Sequence, residues 1–284
     1  MPSPTPARRT FLLHRTATLG ALVLPGAIAW SAPAKGPRAA EPVVGVDPLL
    51  VDSGLTARWR AAMLRDLGWA AQWSPMDTGR LLAELEQGRL DAGLYLSHPE
   101  ARRLDKEGLI HHRAPLARTE VYLVGPPEDP AGIRGADNAA RALHQVLLAQ
   151  RAGAARWQAA PPGSALAALA DELSGGLASR GGHGVAGERS AGTLSAATRA
   201  DGSRLAPYRL VSRAQWEGSG GRGDGGERLK VWFAGDPALH LDCEVALPFR
   251  GRHPTASLLV QWLQWPLGQG VVKASSPRWR PAKG

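Results

Sequence analysis

Short apolar runs alternate with stretches of helical spacing along the chain after position 40. Apolar runs predict strands at Pro42–Val46, Leu90–Leu96, Val121–Val124, Lys230–Ala234 and Cys243–Leu247. Apolar residues three or four positions apart predict helices capped by Asp52-Ser53 and by Thr78, then over Pro99–Glu107, around Ala136–Arg151, over Ala165–Leu173 with Ser164 as cap, and from Thr255. Strands that alternate with helices predict parallel βαβ units and therefore an α/β fold.

Small polar residues stand at the predicted strand ends and helix starts. Ser97-His98 follows the strand Leu90–Leu96, Gly163-Ser164 precedes the helix Ala165–Leu173, and Asp52-Ser53 precedes the first helix. Open α/β sheets hold small ligands at the carboxyl ends of their strands, and N–H groups at helix starts bind anions. The pattern favours a binding cleft over a catalytic centre. At each single position, ordinary helix capping is the alternative.

The first 40 residues have the organisation of an export leader. Arg8-Arg9 precedes Phe11-Leu12, an apolar run covers Thr16–Trp30, and Ala32-Pro33-Ala34 supplies small residues for cleavage. The paired arginines are similar to a twin-arginine signal. An uncleaved membrane anchor is the alternative, but the run is shorter than the roughly 20 residues that span a bilayer. We therefore expect a periplasmic protein.

The charge of the chain does not indicate a nucleic-acid partner. The formal net charge is +9, but residues 1–40 carry five basic residues and no carboxylate, which leaves 29 basic against 25 acidic residues, or +4. No cluster of Lys and Arg interleaved with aromatic residues accompanies that small excess. The single cysteine, Cys243, excludes an intramolecular disulfide, and its apolar neighbours predict a buried side chain. On the last helix, Trp262 and Trp265 are predicted to pack into the core.

No motif of an enzyme, a metal centre or a cofactor is present in the sequence. The chain has no Gly-x-Ser-x-Gly elbow, no phosphate-binding loop and no His-Glu-x-x-His. His111 and His112 are adjacent, so on a strand they point to opposite faces. Asp91 and Glu120 have no sequence partner that identifies an acid–base pair. A non-enzymatic protein without cofactor or metal is expected.

Five phrases, in order, resemble the tungstate-binding extracytoplasmic subunit of ABC transporters. They are Asp52–Leu55 (DSGL), Asp91–Ala101 (DAGLYLSHPEA), Val121–Ile133 (VYLVGPPEDPAGI), Tyr208–Trp216 (YRLVSRAQW) and Gly235–Leu239 (GDPAL), and a late helix over His253–Gly270 matches in position. The phrase VGPPEDPAGI is the most specific of them. The resemblance covers nearly all of the chain that follows the leader.

The resemblance implies a type II periplasmic binding protein with a ligand cleft between two α/β lobes. After the leader (1–40), lobe one would comprise residues 41–117 and 236–284, and lobe two residues 118–235. Strands would cross between the lobes near Ala117–Val121 and Ala234–Asp236. The implied partners are a small solute and an ABC permease, and the implied state is a monomer.

The chain departs from this family where the oxyanion would bind. The family has a Thr-Thr-Thr-Ser run before Asp-Ser-Gly, and this chain has Val46-Asp47-Pro48-Leu49. The family also has a second segment, Ser-Arg-Gly-Asp followed by Ser-Gly-Thr. In this chain it falls on Ala159–Leu166, where only Ser164 remains. A carboxylate ~4 Å from a dianion is repulsive by about 1 kcal/mol per charge even in water. Weak tungstate and molybdate binding is therefore expected, with a neutral or cationic solute, or no ligand, in their place.

Eight residues are candidates to line the cleft, each by its position relative to the family's phrases: Asp47, Asp52, Ser53, Ser97, His98, Thr119, Ser164 and Thr193. Two other functions stay open. One is a periplasmic sensor or accessory protein that has the fold without a role in transport. The other is a hydrolase or transferase that uses a cleft of the same shape.

Overall fold

A computed structural model describes residues 41–175, 205–251 and 253–282 of the chain. The predicted leader and Thr193 lie outside these ranges. The strands are β1 (Val43–Val46), β2 (Gln72–Pro75), β3 (Ala92–Leu96), β4 (Ile110–Gly125), β5 (Arg209–Ser212), β6 (Lys230–Phe233), β7 (His240–Pro248) and β8 (Arg280–Pro281). The helices are α1 (Pro48–Asp52), α2 (Leu55–Leu67), α3 (Thr78–Glu86), α4 (Pro99–Lys106), α5 (Ala139–Arg151), α6 (Ala165–Leu173), α7 (Arg213–Ser219), α8 (Ala256–Gln264) and α9 (Pro266–Lys273).

The strands join in the order β2-β1-β3-β7-β4-β5, and β6 and β8 also pair with β4. β1 pairs in parallel with both β2 and β3, which confirms the predicted parallel units at this edge. The remaining pairings are antiparallel. The prediction of parallel units was therefore wrong for the rest of the sheet, where β4 and β7 lie side by side.

β4 is the longest strand and links two sets of partners. Its first part, from Ile110 to Glu120, pairs with β7, and from Val121 onward it pairs with β5 and β6. The predicted strand Val121–Val124 is only the last part of it. The described residues after position 40 belong to one compact unit, so the boundaries of the two lobes stay a prediction.

The first part of β4 has no apolar run that would have predicted a strand. Ion pairs across the sheet stabilise it instead. Arg113 donates to both carboxylate oxygens of Glu244 at 2.7 and 2.8 Å. Arg118 lies directly opposite Asp242 and donates to it at 2.6 and 2.9 Å. Opposite charges across strands contribute about 0.2–1 kcal/mol each. A strand rich in charged residues is stable here because its partner strand carries the complementary charges.

Of three helix caps predicted from the sequence, the structure confirms one and corrects two. Ser164 caps α6 as predicted, and its hydroxyl oxygen accepts from the Ala167 N–H at 3.2 Å. The predicted caps of α2 and α3 were wrong. Gly54, with φ of 78°, caps α2 because α1 occupies the residues up to Asp52. Asp77 caps α3, and Thr78 is its first helical residue.

The core at the carboxyl-terminal helices depends on close approach between α8 and α9. Trp59 of α2 is fully buried and donates its indole N–H to the Gly268 carbonyl at 3.2 Å.

Trp262 is buried as predicted, and so is Cys243. The prediction for Trp265 was wrong, since 56% of it is exposed. Trp265 lies between the end of α8 and Pro266, the first residue of α9, so it leaves the buried face of α8.

Among the described residues, no helix has both the length and the apolar character needed to cross a bilayer.

Replacing Gly268 by Ala will destabilise the protein. The new Cβ would lie 2.7 Å from the Leu263 Cα and closer still to the Trp262 carbonyl oxygen. Neither backbone atom can move without shifting α8, so we expect a loss of about 1–3 kcal/mol in the free energy of unfolding. Urea denaturation of the mature protein measures it.

Gly270→Ala is the matched control, because a Cβ on Gly270 of the same helix meets no atom within 4 Å. Alanine favours the helix over glycine by up to about 1 kcal/mol, so this variant should be at least as stable as the wild type. Equal destabilisation by both variants would show that packing against α8 is not the cause.

Candidate functional site

Asp47 lies at the carboxyl end of β1 and caps α1. The apolar strand ends at Val46, and Pro48 begins the helix because its fixed φ suits the first helical position and the position needs no N–H donor. The Asp47 Oδ1 accepts from the Leu49 N–H at 2.9 Å. The side chain is thereby fixed at the start of the helix, where backbone donors are concentrated.

Thr78 brings the ends of three neighbouring strands together. It begins α3, shortly after β2, and its hydroxyl donates to the Asp47 Oδ2 at 2.7 Å. The same hydroxyl oxygen accepts a long hydrogen bond, 3.4 Å, from the N–H of Leu96 at the end of β3. Since β1, β2 and β3 are parallel, their carboxyl ends meet at one edge of the sheet.

The carboxylate of Asp47 is in a low-dielectric environment. The residue is 2% exposed, and burial raises its pKa above the ordinary value of 3.8. Hydrogen bonds from Thr78 and Leu49 act in the opposite direction on this pKa, and the neighbouring carboxylate of Asp77 raises it further. The donors at this strand end are therefore directed at a carboxylate that belongs to the protein.

Gly79 and Gly163 join α3 to the loop before α6. The Gly79 N–H donates to the Gly163 carbonyl at 2.8 Å. A Cβ on Gly79 would lie 2.9 Å from that oxygen, so this approach requires glycine. Ser164 follows directly and donates its hydroxyl to the Pro161 carbonyl at 2.6 Å. We name Asp47, Thr78, Gly79, Gly163 and Ser164 the strand-end cluster.

Asp52 and Ser53 do not form the predicted helix start. They lie at the end of α1, where Asp52 is exposed and Ser53 is buried. The Ser53 hydroxyl donates to the Leu50 carbonyl at 3.0 Å, and the N–H groups of Ser53 and Gly54 donate to carbonyls of α1. The helix start that follows β1 is at Asp47, because Pro48 begins a short helix that the apolar pattern did not indicate.

Ser97 and His98 lie at the carboxyl end of β3, as predicted. The Ser97 N–H donates to the Asp242 carbonyl at 2.7 Å, and the Ser97 hydroxyl oxygen accepts from the Asp242 N–H at 3.2 Å. His98 caps α4, and its Nδ1 accepts from the Glu100 N–H at 3.2 Å. Burial lowers the pKa of His98. Both side chains make bonds that hold β3 and α4 in place.

Thr119 lies on β4 beside a different cavity. Its hydroxyl donates to the Arg278 carbonyl at 3.0 Å. The cavity has a volume of about 360 Å³, and its lining residues are Arg118, Thr119, Glu120, Arg213, Gly235, His240, Pro277 and Arg280. No member of the strand-end cluster is among them. The structure thus brings Asp47 and Ser164 into one region through Thr78 and the two glycines, and leaves Thr119 in another.

Thr78, Gly79 and Gly163 are the residues of this region that sequence reasoning missed as site residues. Thr78 was predicted only as a helix cap. β2 ends shortly before it, but Gln72–Pro75 has no apolar run that would have marked a strand end. Among the described residues, no group of three or more His, Cys, Asp or Glu side chains could hold a metal ion.

Comparison with known proteins gives matches in structure alone. No family model matches the chain, and no curated protein matches it. A periplasmic protein provisionally described as metal-binding superposes with a TM-score of 0.65 at 19% identity, over 86% of this chain and 97% of that one. The tungstate ABC transporter structure from Geobacter sulfurreducens gives 0.59 at 18% identity, over 83% and 98%.

The tungstate-binding protein TupA from Desulfovibrio alaskensis G20 also gives a TM-score of 0.59, at 20% identity, over 86% of this chain and 99% of that one. These matches extend over nearly the full length of each compared structure, and their low identities limit the conclusion to the fold. The chain has the α/β fold of the type II periplasmic binding proteins, as the sequence resemblance implied.

Proposed function

We propose that the chain is an extracytoplasmic solute-binding protein whose ligand specificity differs from that of tungstate-binding proteins. Its fold supports a binding role, and two of the compared structures are described as tungstate proteins. The export leader predicted from residues 1–40 supports a periplasmic location. In this proposal the protein works as the substrate-binding component of an ABC transporter, catalyses no reaction, and delivers a small solute to a permease.

The observation that carries the altered specificity is the buried carboxylate of Asp47. An oxyanion at a strand end needs N–H and O–H donors that point toward it. Here the Leu49 N–H and the Thr78 hydroxyl donate to Asp47, and the Gly79 N–H donates to Gly163. A dianion at this place would lose those donors and would be repelled by Asp47. A neutral or cationic solute would meet no such repulsion.

Tungstate and molybdate are expected to bind weakly or not at all. Isothermal titration calorimetry of the mature protein with tungstate, molybdate, sulfate and phosphate measures this directly. The donors at the start of α6 remain, so weak binding above the micromolar range is compatible with the proposal. Sub-micromolar tungstate affinity would contradict it and would favour an oxyanion transporter of unchanged specificity.

Asp47→Asn should raise the affinity for molybdate. The amide keeps an oxygen that accepts from Leu49, and it removes a repulsion of about 1 kcal/mol per unit charge at 4 Å. For a dianion this predicts a gain of about tenfold or more in calorimetry. Asp91→Asn is the matched control, because Asp91 accepts from the Val43 N–H at 2.8 Å at the opposite end of β1. An equal gain in both variants, or none in Asp47→Asn, would count against the proposed role of Asp47.

The same variant should change how stability depends on pH. The pKa of Asp47 is raised in the folded protein above its ordinary value of 3.8, so the folded state holds this proton more tightly than the unfolded state. The contribution of Asp47 to the free energy of unfolding is therefore largest at low pH and is lost as the pH rises through the folded pKa. Urea denaturation should show Asp47→Asn becoming more stable relative to wild type from about pH 4 to pH 7. A constant difference across this range would contradict the raised pKa.

A further inference from the structure

A second cavity lies beside β5. Its lining includes none of the five residues of the strand-end cluster, although Pro161 and Leu166 of its lining flank Gly163 and Ser164 in the chain. It has a volume of about 360 Å³ and is bounded by the loop before α6, by β5, by α7 and by the glycine-rich segment that follows α7. Its apolar wall includes Pro161, Leu166 and Val211, and its polar lining includes Gln158, Arg209 and Gln215. An apolar wall with a few convergent polar groups is the usual composition of a small-molecule site.

Arg209 is the charged group of this cavity. It is the first residue of β5, and its side chain is only 13% exposed. The guanidinium donates through Nη1 to the Asp224 carboxylate at 2.7 Å and through Nη2 to the Arg222 carbonyl at 3.5 Å, while its Nε is buried and has no hydrogen-bond partner among the described residues. A buried donor without a partner destabilises a protein, and more strongly when the group is charged. An arginine held in this way is poorly explained by stability alone.

Asp224, the partner of Arg209, is easily displaced. Its side chain is 72% exposed, and it belongs to the segment Gly218–Gly226, in which six of nine residues are glycine. Its other contact in the cavity is with the Gln158 Nε2, at 3.2 Å. An exposed carboxylate returns to water when it leaves its partner, so its departure costs less than that of a buried carboxylate. The carboxylate of Asp224 can therefore leave Arg209 at small cost when another carboxylate takes its place.

We propose that this cavity is a second ligand site, for a small carboxylate with a short apolar tail, and that Asp224 occupies the position of the ligand carboxylate in the empty protein. Arg209 recognises the carboxylate through its planar set of donors. Gln215 supplies a further donor, its Nε2, since its bonds to described residues, the backbone and hydroxyl of Ser212, engage the Oε1. The tail lies against Leu166 and Val211. No step of this proposal depends on Asp47 or on the proposed transport role.

Butyrate is the probe, and calorimetry of the mature protein is the measurement. Wild type should bind butyrate in the millimolar range, because the ligand competes with Asp224. In Asp224→Ala the competitor is absent, so the affinity should rise at least tenfold. Adding Arg209→Gln to that variant should abolish binding. Butyramide, which has the same size and no charge, should not bind to any of the variants.

Asp137→Ala is the matched control. It frees Arg141, whose pair with Asp137 at 2.6 Å is exposed on both sides, and neither residue lines the cavity at Arg209 or the cavity at Thr119. This variant should bind butyrate no better than wild type. Circular dichroism of Asp224→Ala, with Asp224→Asn as a second variant, establishes that the fold is kept.

Three results would overturn the proposal. The first is a wild-type protein that does not bind butyrate at all, since Asp224 would then close the cavity. The second is an Asp224→Ala affinity no higher than that of wild type, and the third is equal binding by Asp137→Ala. Butyrate binding depends on Arg209 and Asp224, and the proposed oxyanion specificity depends on Asp47, so failure here and failure of that specificity are separate outcomes.

Discussion

The pairing of β4 with its neighbours is the constraint on which the rest of the structure depends. β4 is one strand of 16 residues. Its first part pairs with β7, and its last part pairs with β5 and β6. β7 in turn pairs with β3, and so connects β4 to the parallel strands that end at Asp47 and Thr78. The site at those strand ends, the cavity at Thr119 and the cavity at Arg209 all take their positions from this strand or its partners.

Because β4 pairs with its neighbours over most of its length, its charged residues need not be buried to keep it in place. Arg113 and Arg118 are paired with carboxylates of β7. Arg118 lies directly opposite Asp242, whereas Glu244 lies opposite Pro115 and is reached by Arg113 from a neighbouring position. Complementary charges across the two strands favour the observed register. That register sets where β4 leaves β7 at Glu120 and begins its pairing with β5 at Val121.

A shared physical feature connects the two proposed sites. In each, donors suited to an anion are directed at a carboxylate of the protein itself. Asp47 is buried and held by two donors, whereas Asp224 is exposed on a glycine-rich segment. The difference in burial sets the expected behaviour, since a buried carboxylate resists displacement and an exposed one exchanges with ligand. In the two proposals, the first arrangement would exclude anions and the second would admit them.

The sequence by itself determined the elements whose signals are local. The apolar runs of β1, β3 and β7, the capping of α6 by Ser164 and the helical spacing of α2 and α4 all depend on residues within a few positions of each other. Only the tertiary structure decided the polar strands β2 and the first part of β4, the exposure of Trp265, and the contacts of Asp47 with Thr78 and of Gly79 with Gly163. The Asp47–Thr78 bond joins residues 31 positions apart, and the Gly79–Gly163 bond joins more distant ones. Such pairs form because the sheet brings its strand ends together, and no periodicity along the chain encodes which ends will meet.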